Sequence, residues 1–289
     1  MDILKNADKN KVQRITLIVV AALTLLALVL LLVIIVASVD KGIQDANLDD
    51  IIESLEFESV TITESQLSTG SLVLADSAHP YSVDKSLLNL IGCQFYRNEH
   101  RTGDKGPYYA FNDHFLNTTA MAAAHRMLTD AETAVGLNDL LIKYAYGNHD
   151  ASYKEYDTGL LIYLTNYDES ELNQAYAEWL DSNAVKYGFV ESFDNGFRYV
   201  GEVHAKYMKE KSLTIAQYVA YLKGNTAHDN MLTVKDANGT SYGIYYVSCL
   251  AGGSVQAPVI TYDDNGNAEV AYEISGTNEG GVIITVKLN

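Results

Sequence analysis

Histidines and neighbouring carboxylates are the side chains of this sequence that suit metal or acid–base chemistry. The seven histidines are His79, His100, His114, His125, His149, His204 and His228. His149 and Asp150 form a tempting pair of zinc donors, and His204 is a further candidate ligand. A solvated loop is the alternative for the first two. We expect His79 to stabilise a turn. We expect His125 and His204 to lie on helices at the edge of the core, and His100, His114 and His228 to lie in polar loops.

Other site chemistries lack their sequence signals. The chain holds no Gly-x-Ser-x-Gly elbow, no glycine-rich phosphate loop and no Cys-x-x-Cys pair. The stretch DDNGN at residues 263–267 is faintly calcium-like, but a hairpin turn explains it better. The two cysteines, Cys93 and Cys249, permit either a disulfide in an extracytoplasmic location or two buried free thiols.

A long apolar segment near the N-terminus predicts a membrane anchor. Residues 15–39 carry no charge, which is enough length to cross a bilayer. Lysines and an arginine precede the segment within residues 1–14, which predicts a cytoplasmic tail and an extracytoplasmic remainder. A cleaved signal peptide is the alternative, but its apolar region would be shorter and would end at a small-residue cleavage site.

The size and net charge of the chain limit the number of its cores and the classes of partner it can bind. Its 289 residues are 48% hydrophobic, which suffices for one sizeable core and a small second one. The net charge of −17 leaves no basic patch, which argues against a nucleic-acid partner and against docking onto anionic lipid beyond the anchor.

The elements that must position any site follow an α+β pattern. Residues 40–56 are an acidic, partly helical spacer, and apolar periodicity predicts strands and helices after it. Predicted strands lie near residues 57–67, 71–75, 140–145, 160–164 and 197–201. Predicted helices lie within residues 111–135, from residue 170 to before 187, and after Thr214. Five short strands separated by turn signals follow Gly224, which predicts a small antiparallel β module over residues 225–289.

Four stretches within roughly residues 57–222 carry a family resemblance. They are GSLVLADSAHP from Gly70, YDTGL from Tyr156, WLDSNAVKYGF from Trp179 and FRYVG from Phe197. In this order they resemble the zinc-dependent D-alanyl-D-alanine carboxypeptidases of the VanY type. The resemblance implies a DD-carboxypeptidase-like (LAS/hedgehog-type) domain over residues 57–224, with an antiparallel sheet and flanking helices.

The resemblance also implies where the active-site groups would fall. In that family a His and an Asp in His-x6-Asp and a second His in Glu-x-Trp-His hold zinc, and the Glu is the general base. The matching positions, including that of the arginine that grips the substrate carboxylate, are here Tyr156, Tyr163, Gly196, Phe193 and Tyr146. A phenol has a pKa near 10, and glycine and phenylalanine offer zinc no donor. The links 146–156 and 189–197 are also shorter than in the family.

These losses favour a membrane-anchored, extracytoplasmic pseudoenzyme of the cell wall without a cofactor. The old cleft would persist as an aromatic groove that binds a peptidoglycan stem peptide or a cell-wall protein. Its candidate residues are Tyr144, Tyr146, Tyr156, Tyr163, Phe193 and Phe197. The alternative is that these rings only fill the space of a lost metal site. A second hypothesis is an active zinc carboxypeptidase that trims D-Ala with atypical ligands, and a third is a spacer that presents the β module to a partner.

Overall fold

The computed structural model describes residues 48–100, 106–149, 152–262, 265–266 and 268–288. The predicted cytoplasmic tail and the predicted anchor at residues 15–39 lie outside these residues. Within the described part of the chain, no helix is long and apolar enough to cross a membrane. The chain divides after Ser54 into two compact units. In the first unit residues 48–54 are helical, in the predicted spacer; all the elements that follow belong to the second.

Helices and strands alternate along the second unit, and the β module closes it. The helices are α1 (Glu64–Ser68), α2 (Cys93–Glu99), α3 (Thr118–Val135), α4 (Gln174–Asn183), α5 (Glu202–Lys211) and α6 (Ile215–Asn225). The strands before the module are β1 (Phe57–Thr61), β2 (Leu90–Gly92), β3 (Tyr109–Ala110), β4 (Phe115–Asn117), β5 (Leu140–Tyr144), β6 (Leu161–Asn166), β7 (Phe189–Phe193) and β8 (Gly196–Tyr199). Those of the module are β9 (Leu232–Lys235), β10 (Ser241–Ser248), β11 (Ser254–Pro258), β12 (Thr261–Tyr262), β13 (Ala268–Gly276) and β14 (Gly281–Lys287).

A five-stranded sheet in the order β3-β5-β6-β8-β7 carries the predicted site positions. Its first pair is parallel and the other pairs are antiparallel. Helices α3 and α4 cover one face and bury Met127, Leu128 and Leu180 against strand residues such as Ile142 and Ile162. Because successive side chains of a strand point to opposite faces of the sheet, the alternate residues of these strands point to the other face.

The β module forms a second five-stranded sheet, which is antiparallel throughout, in the order β12-β13-β14-β10-β9. Its buried Ile244 and Ile283 share a core with Met208 of α5 and with Val219 and Leu222 of α6. This core takes residues from both sides of position 224. Strand β1 also pairs with β11 of the module. The domain boundary at residue 224 therefore stays a prediction, and the residues on its two sides share one hydrophobic core.

Most predicted strands and helices are found with shifted ends, but two predictions are wrong. The predicted strand near residues 57–67 ends at Thr61, and its second half lies in helix α1 (Glu64–Ser68). Helix α3 begins at Thr118, seven residues after the start of the predicted range, because the Asn117 side chain caps it by accepting from the amides of Thr119 and Ala120. Residues 72–75 are buried, but residues 71–75 form no strand. Their polar backbone groups bond instead to isolated partners, among them the Arg198 guanidinium, which binds the Val73 carbonyl at 3.1 Å.

Several elements have no counterpart among the predicted ones: α1, β2, α2, β3, β4, β7 and α5. Helix α5 and strand β7 lie in stretches where charged residues interrupt the apolar pattern, so periodicity gives little signal there. Both cysteines are free and buried, which answers the open alternative for Cys93 and Cys249 in favour of two thiols.

Candidate functional site

The first implied zinc position lies on a tight turn that leads into strand β6. Residues Lys154–Thr158 form a 3-10 helix that ends at Gly159, whose φ of 69° lies in the left-handed region that glycine adopts without strain. An added Cβ at Gly159 would lie 2.6 Å from the Leu90 side chain. The turn buries the ring of Tyr156, which is 2% exposed, and brings it alongside β6.

Aromatic rings gather where the resemblance places the zinc site. We call this group the aromatic cluster: Tyr144, His149, Tyr153, Tyr156, Tyr163 and Phe193. The ring centroids of Tyr144 and Tyr163 are 5.6 Å apart, those of His149 and Tyr156 4.8 Å, and those of Tyr163 and Phe193 6.2 Å. Three implied positions, Tyr156, Tyr163 and Phe193, therefore do converge in space, but they do so as a packed set of rings.

The two remaining implied positions differ in their surroundings. Gly196 sits opposite Phe193 across the β7–β8 hairpin and opposite Tyr163 on β6. A Cβ built on Gly196 would lie 2.5 Å from two atoms of the Phe193 ring. Tyr146, at the position of the family's arginine, makes no ring contact with the cluster among the described residues, and its carbonyl oxygen accepts from the Phe115 amide at 2.9 Å. The Phe193 ring thus occupies the space where any side chain at position 196 would begin.

The electrostatics of the cluster disfavour a phenolate. Burial raises the pKa of Tyr156, and the neighbouring phenols of Tyr163, Tyr144 and Tyr153 raise it further. The pKa of the nearby Tyr81 is also raised: burial raises it to about 12, although the Arg198 guanidinium lowers it in part. Since zinc needs a deprotonated oxygen ligand, the residues at these positions do not fit the metal that the resemblance implies.

Of the atypical ligand candidates, the two described histidines, His149 and His204, are not brought together. His149 Nε2 lies 3.2 Å from Asp157 Oδ1 at the aromatic cluster. His204 is buried elsewhere, with its Nδ1 3.0 Å from the Tyr218 hydroxyl and its Nε2 3.0 Å from Thr285 Oγ1. Asp150 lies outside the described residues. Among the residues that the structure describes, no three His, Cys, Asp or Glu side chains form a group able to hold a metal ion.

Some placements correct the sequence analysis. Phe197, a predicted groove residue, is 3% exposed and packs in the core, because it faces the side of β8 opposite to Gly196. His114, expected in a polar loop, is fully buried, and its Nε2 lies 2.8 Å from the Lys143 carbonyl oxygen. His204 lies inside the second core rather than at a core edge, and burial lowers its pKa to about 4.

Arg198 joins the segments that surround the site. Its buried guanidinium donates to the Ser71 and Val73 carbonyls at 3.2 and 3.1 Å and to the Thr158 hydroxyl. Thr158 in turn donates to the Glu155 carbonyl at 2.6 Å. Because these donors are used within the protein, Arg198 has a structural role, and they are not available to a ligand.

A cleft of about 870 Å³ lies beside this region rather than over it. Tyr81 and Thr158 line one part, and Glu202, Glu273 and Tyr242 line another. No ring of the aromatic cluster belongs to its lining. The cleft therefore does not mark the implied zinc site.

The sequence analysis missed Tyr153 as a member of the aromatic cluster and named His149 only as a candidate zinc donor. Tyr153 is 48% exposed, and its ring stacks on Phe193 at 4.8 Å. It precedes Tyr156 by three residues, which places both near one side of a short 3-10 helix. That spacing was the available signal for Tyr153, whereas the stacking of His149 on Tyr156 depends on the shortened loop and has no local sequence signal.

Comparison with known proteins agrees with this architecture. No protein-family profile matches the chain. A D-alanyl-D-alanine carboxypeptidase of Enterococcus faecium is 26% identical over 253 residues, which cover 78% of this chain and 78% of that protein. The crystal structure of the vancomycin resistance D,D-dipeptidase VanXYg, in complex with a D-Ala-D-Ala phosphinate analogue, matches with a TM-score of 0.62 at 17% identity, over 80% of this chain and 99% of that one. The first match confirms the sequence resemblance, and the second supports a shared α+β fold.

Proposed function

We propose that this chain, as a relative of the D-alanyl-D-alanine carboxypeptidases, binds peptidoglycan peptides ending in D-Ala-D-Ala without hydrolysing them. The E. faecium relative is named for action on that dipeptide, and VanXYg was solved with an analogue of it. The proposal keeps the ligand class of these relatives and removes the metal chemistry.

One observation carries the proposal. The Phe193 ring lies over Gly196, so close that even a Cβ at position 196 would sit 2.5 Å from it. In the resemblance these two positions hold the general base and one zinc ligand. Phe193, at the position of the general base, fills the space that a zinc ligand at position 196 would need. The two positions have therefore been repacked together. This supports loss of the metal centre rather than exchange of a single ligand.

The aromatic cluster offers a surface for the proposed ligand. Tyr153 is 48% exposed and stacks on Phe193, and His149 stacks on Tyr156 with Asp157 beside it. Tyrosine rings give a large contact area with a polar tip, which suits the methyl groups and amides of an alanine dipeptide. We place the peptide against Tyr153, at the exposed rim of the cluster.

We further propose that residues 15–39 anchor the protein and that the remainder faces the outside of the cell, where peptidoglycan lies. The uncharged segment and the basic residues before it support this orientation. Alkaline extraction of membranes should leave the full chain in the pellet, and external protease should degrade it in osmotically stabilised cells without walls. Release by alkali, or full protection from the protease, would argue against the anchor or the orientation.

Calorimetry with diacetyl-Lys-D-Ala-D-Ala and the purified full chain tests the binding proposal. We expect saturable binding that the peptide ending in L-Ala-L-Ala does not reproduce. Tyr153→Ala should weaken it about tenfold, the effect of removing roughly 1.4 kcal/mol of contact. Tyr167→Ala is the matched control, since Tyr167 is 57% exposed and lies outside the cluster. Absence of binding, or equal affinity in the Tyr153→Ala variant, would refute the proposed site.

A further inference from the structure

His100 and His125 lie together outside the aromatic cluster. His100 follows the last residue of α2 and is exposed, and His125 lies within α3 and is partly buried. Their ring centroids are 5.7 Å apart, with 57° between the ring planes. The ring of Tyr96 contacts both imidazoles, at 3.9 and 5.6 Å.

The hydrogen bond of His100 fixes which nitrogen is available. Its Nδ1 lies 2.9 Å from the carbonyl oxygen of Tyr96. A carbonyl oxygen can only accept, so Nδ1 carries the proton and Nε2 keeps a free lone pair in the neutral imidazole. Histidines that bind a metal ion through one nitrogen usually donate from the other to a carboxylate, a backbone carbonyl or water, and His100 already makes such a bond.

His125 has a corresponding partner on its Nδ1. That atom lies 3.1 Å from the hydroxyl of Tyr108, whose side chain is fully buried. When Nε2 binds an ion, Nδ1 donates its proton to the phenol oxygen.

The spacing of the two rings suits a shared ion. With metal–nitrogen bonds of about 2.0–2.1 Å, two imidazoles on one ion have centroids about 4.5–6.4 Å apart, as the angle at the metal opens from 90° to 180°. The observed 5.7 Å lies within this range. Arg97, the nearby cation, is turned away, since its guanidinium donates to the Tyr108 carbonyl and lies over the Tyr109 ring.

We propose that His100 and His125 form a two-histidine site for a divalent transition metal ion. Imidazole suits copper, nickel and zinc, and the general order of affinity places Cu²⁺ first. Within the described residues no third His, Cys, Asp or Glu completes a larger group, so the proposal rests on these two imidazoles. The site is open and is independent of the proposed peptide-binding cluster.

Electron paramagnetic resonance of Cu²⁺ added to the full chain without an affinity tag tests the site. We expect one tight Cu²⁺ ion coordinated by two imidazole nitrogens, displaced by excess Zn²⁺. His100→Asn and His125→Asn should each weaken binding about tenfold or more, whereas the control His228→Asn should not, because His228 packs at the distant Phe57 ring.

Two results would overturn the proposal. One is a bound Cu²⁺ with fewer than two imidazole nitrogens in the unaltered chain, a result that does not depend on the folding of any variant. The other is loss of the signal in His149→Asn but not in the His100 and His125 variants, which would move the ion to the aromatic cluster.

Discussion

Replacing Gly196 with alanine probes whether the Phe193 ring occupies the space above it. The added methyl group would lie 2.5 Å from two ring atoms, closer than any ordinary carbon contact. Gly196 does not have a positive φ, so its backbone conformation accepts alanine. The ring cannot retreat freely, because it packs on Tyr153 and Tyr163 at 4.8 and 6.2 Å. The clash must therefore be relieved by breaking those ring contacts.

The expected size of the effect follows from two opposing terms. Overpacking costs about 1–3 kcal/mol, and replacing glycine with alanine returns about 0.4–1 kcal/mol by restricting the unfolded chain. Gly196→Ala should therefore lower the free energy of unfolding by roughly 1–2 kcal/mol. In a Phe193→Ala background the clash disappears, and the same change should raise it by about 0.4–1 kcal/mol. The coupling energy between the two changes should lie near 1.5–3 kcal/mol.

Urea unfolding of the full chain, the two single variants and the double variant gives this coupling energy directly. Gly224→Ala is the matched control, since an added Cβ there meets no atom within 4 Å and Gly224 lies in helix α6. It should stabilise the protein by about 1 kcal/mol and show no coupling to Phe193→Ala. A coupling energy below about 0.5 kcal/mol for Gly196 and Phe193 would refute the repacked-site reasoning.

Three further outcomes are expected. Arg198→Met should lower the free energy of unfolding by about 3 kcal/mol or more, because it leaves the buried Val73 carbonyl and the part-buried Ser71 carbonyl without their donor. Thermal unfolding checks this, and a loss below about 1 kcal/mol contradicts it. Burial lowers the pKa of His204 from 6.5 to about 4, so below pH 6.5 the unfolded state binds the proton first, and stability should fall by about 3 kcal/mol on reaching pH 4. Urea unfolding across that range should show a shallower slope for His204→Gln, and equal slopes would contradict the assignment. Burial raises the pKa of Cys93 to about 12, so a thiol reagent at pH 8 should modify it only after unfolding, and rapid native-state labelling of Cys93 would contradict its burial.

Regular elements with long apolar periodicity are predictable from this sequence. Helix α3 presents Met121, Ala124 and Leu128 at helical spacing, and Gly136 ends it with a φ of 79°. The turn signal at Asp236–Gly239 likewise predicts the β9–β10 hairpin, where the Asp236 side chain accepts from the Asn238 amide at 2.8 Å. In both cases the local pattern and the tertiary packing favour the same structure, so the local signal suffices.

Features that depend on distant partners are not predictable in this way. Residues 71–75 have the apolar composition of a buried strand, yet their carbonyls bind Arg198, more than 120 residues away. Phe197 is aromatic and adjacent to Gly196, but alternation along β8 turns its ring into the core. The resemblance assigns residues to the implied zinc positions. It does not show that the ring of one of them fills the space of another, because that depends on the geometry of the β7–β8 hairpin.

The central claim is that the protein binds without catalysing, and D-Ala release tests it most directly. The purified full chain is incubated with diacetyl-Lys-D-Ala-D-Ala, with and without added Zn²⁺, and free D-Ala is quantified with D-amino acid oxidase. We expect no release above the protein-free control under either condition, at peptide concentrations that saturate binding in calorimetry. Zinc-dependent release of D-Ala that a chelator abolishes would contradict the account.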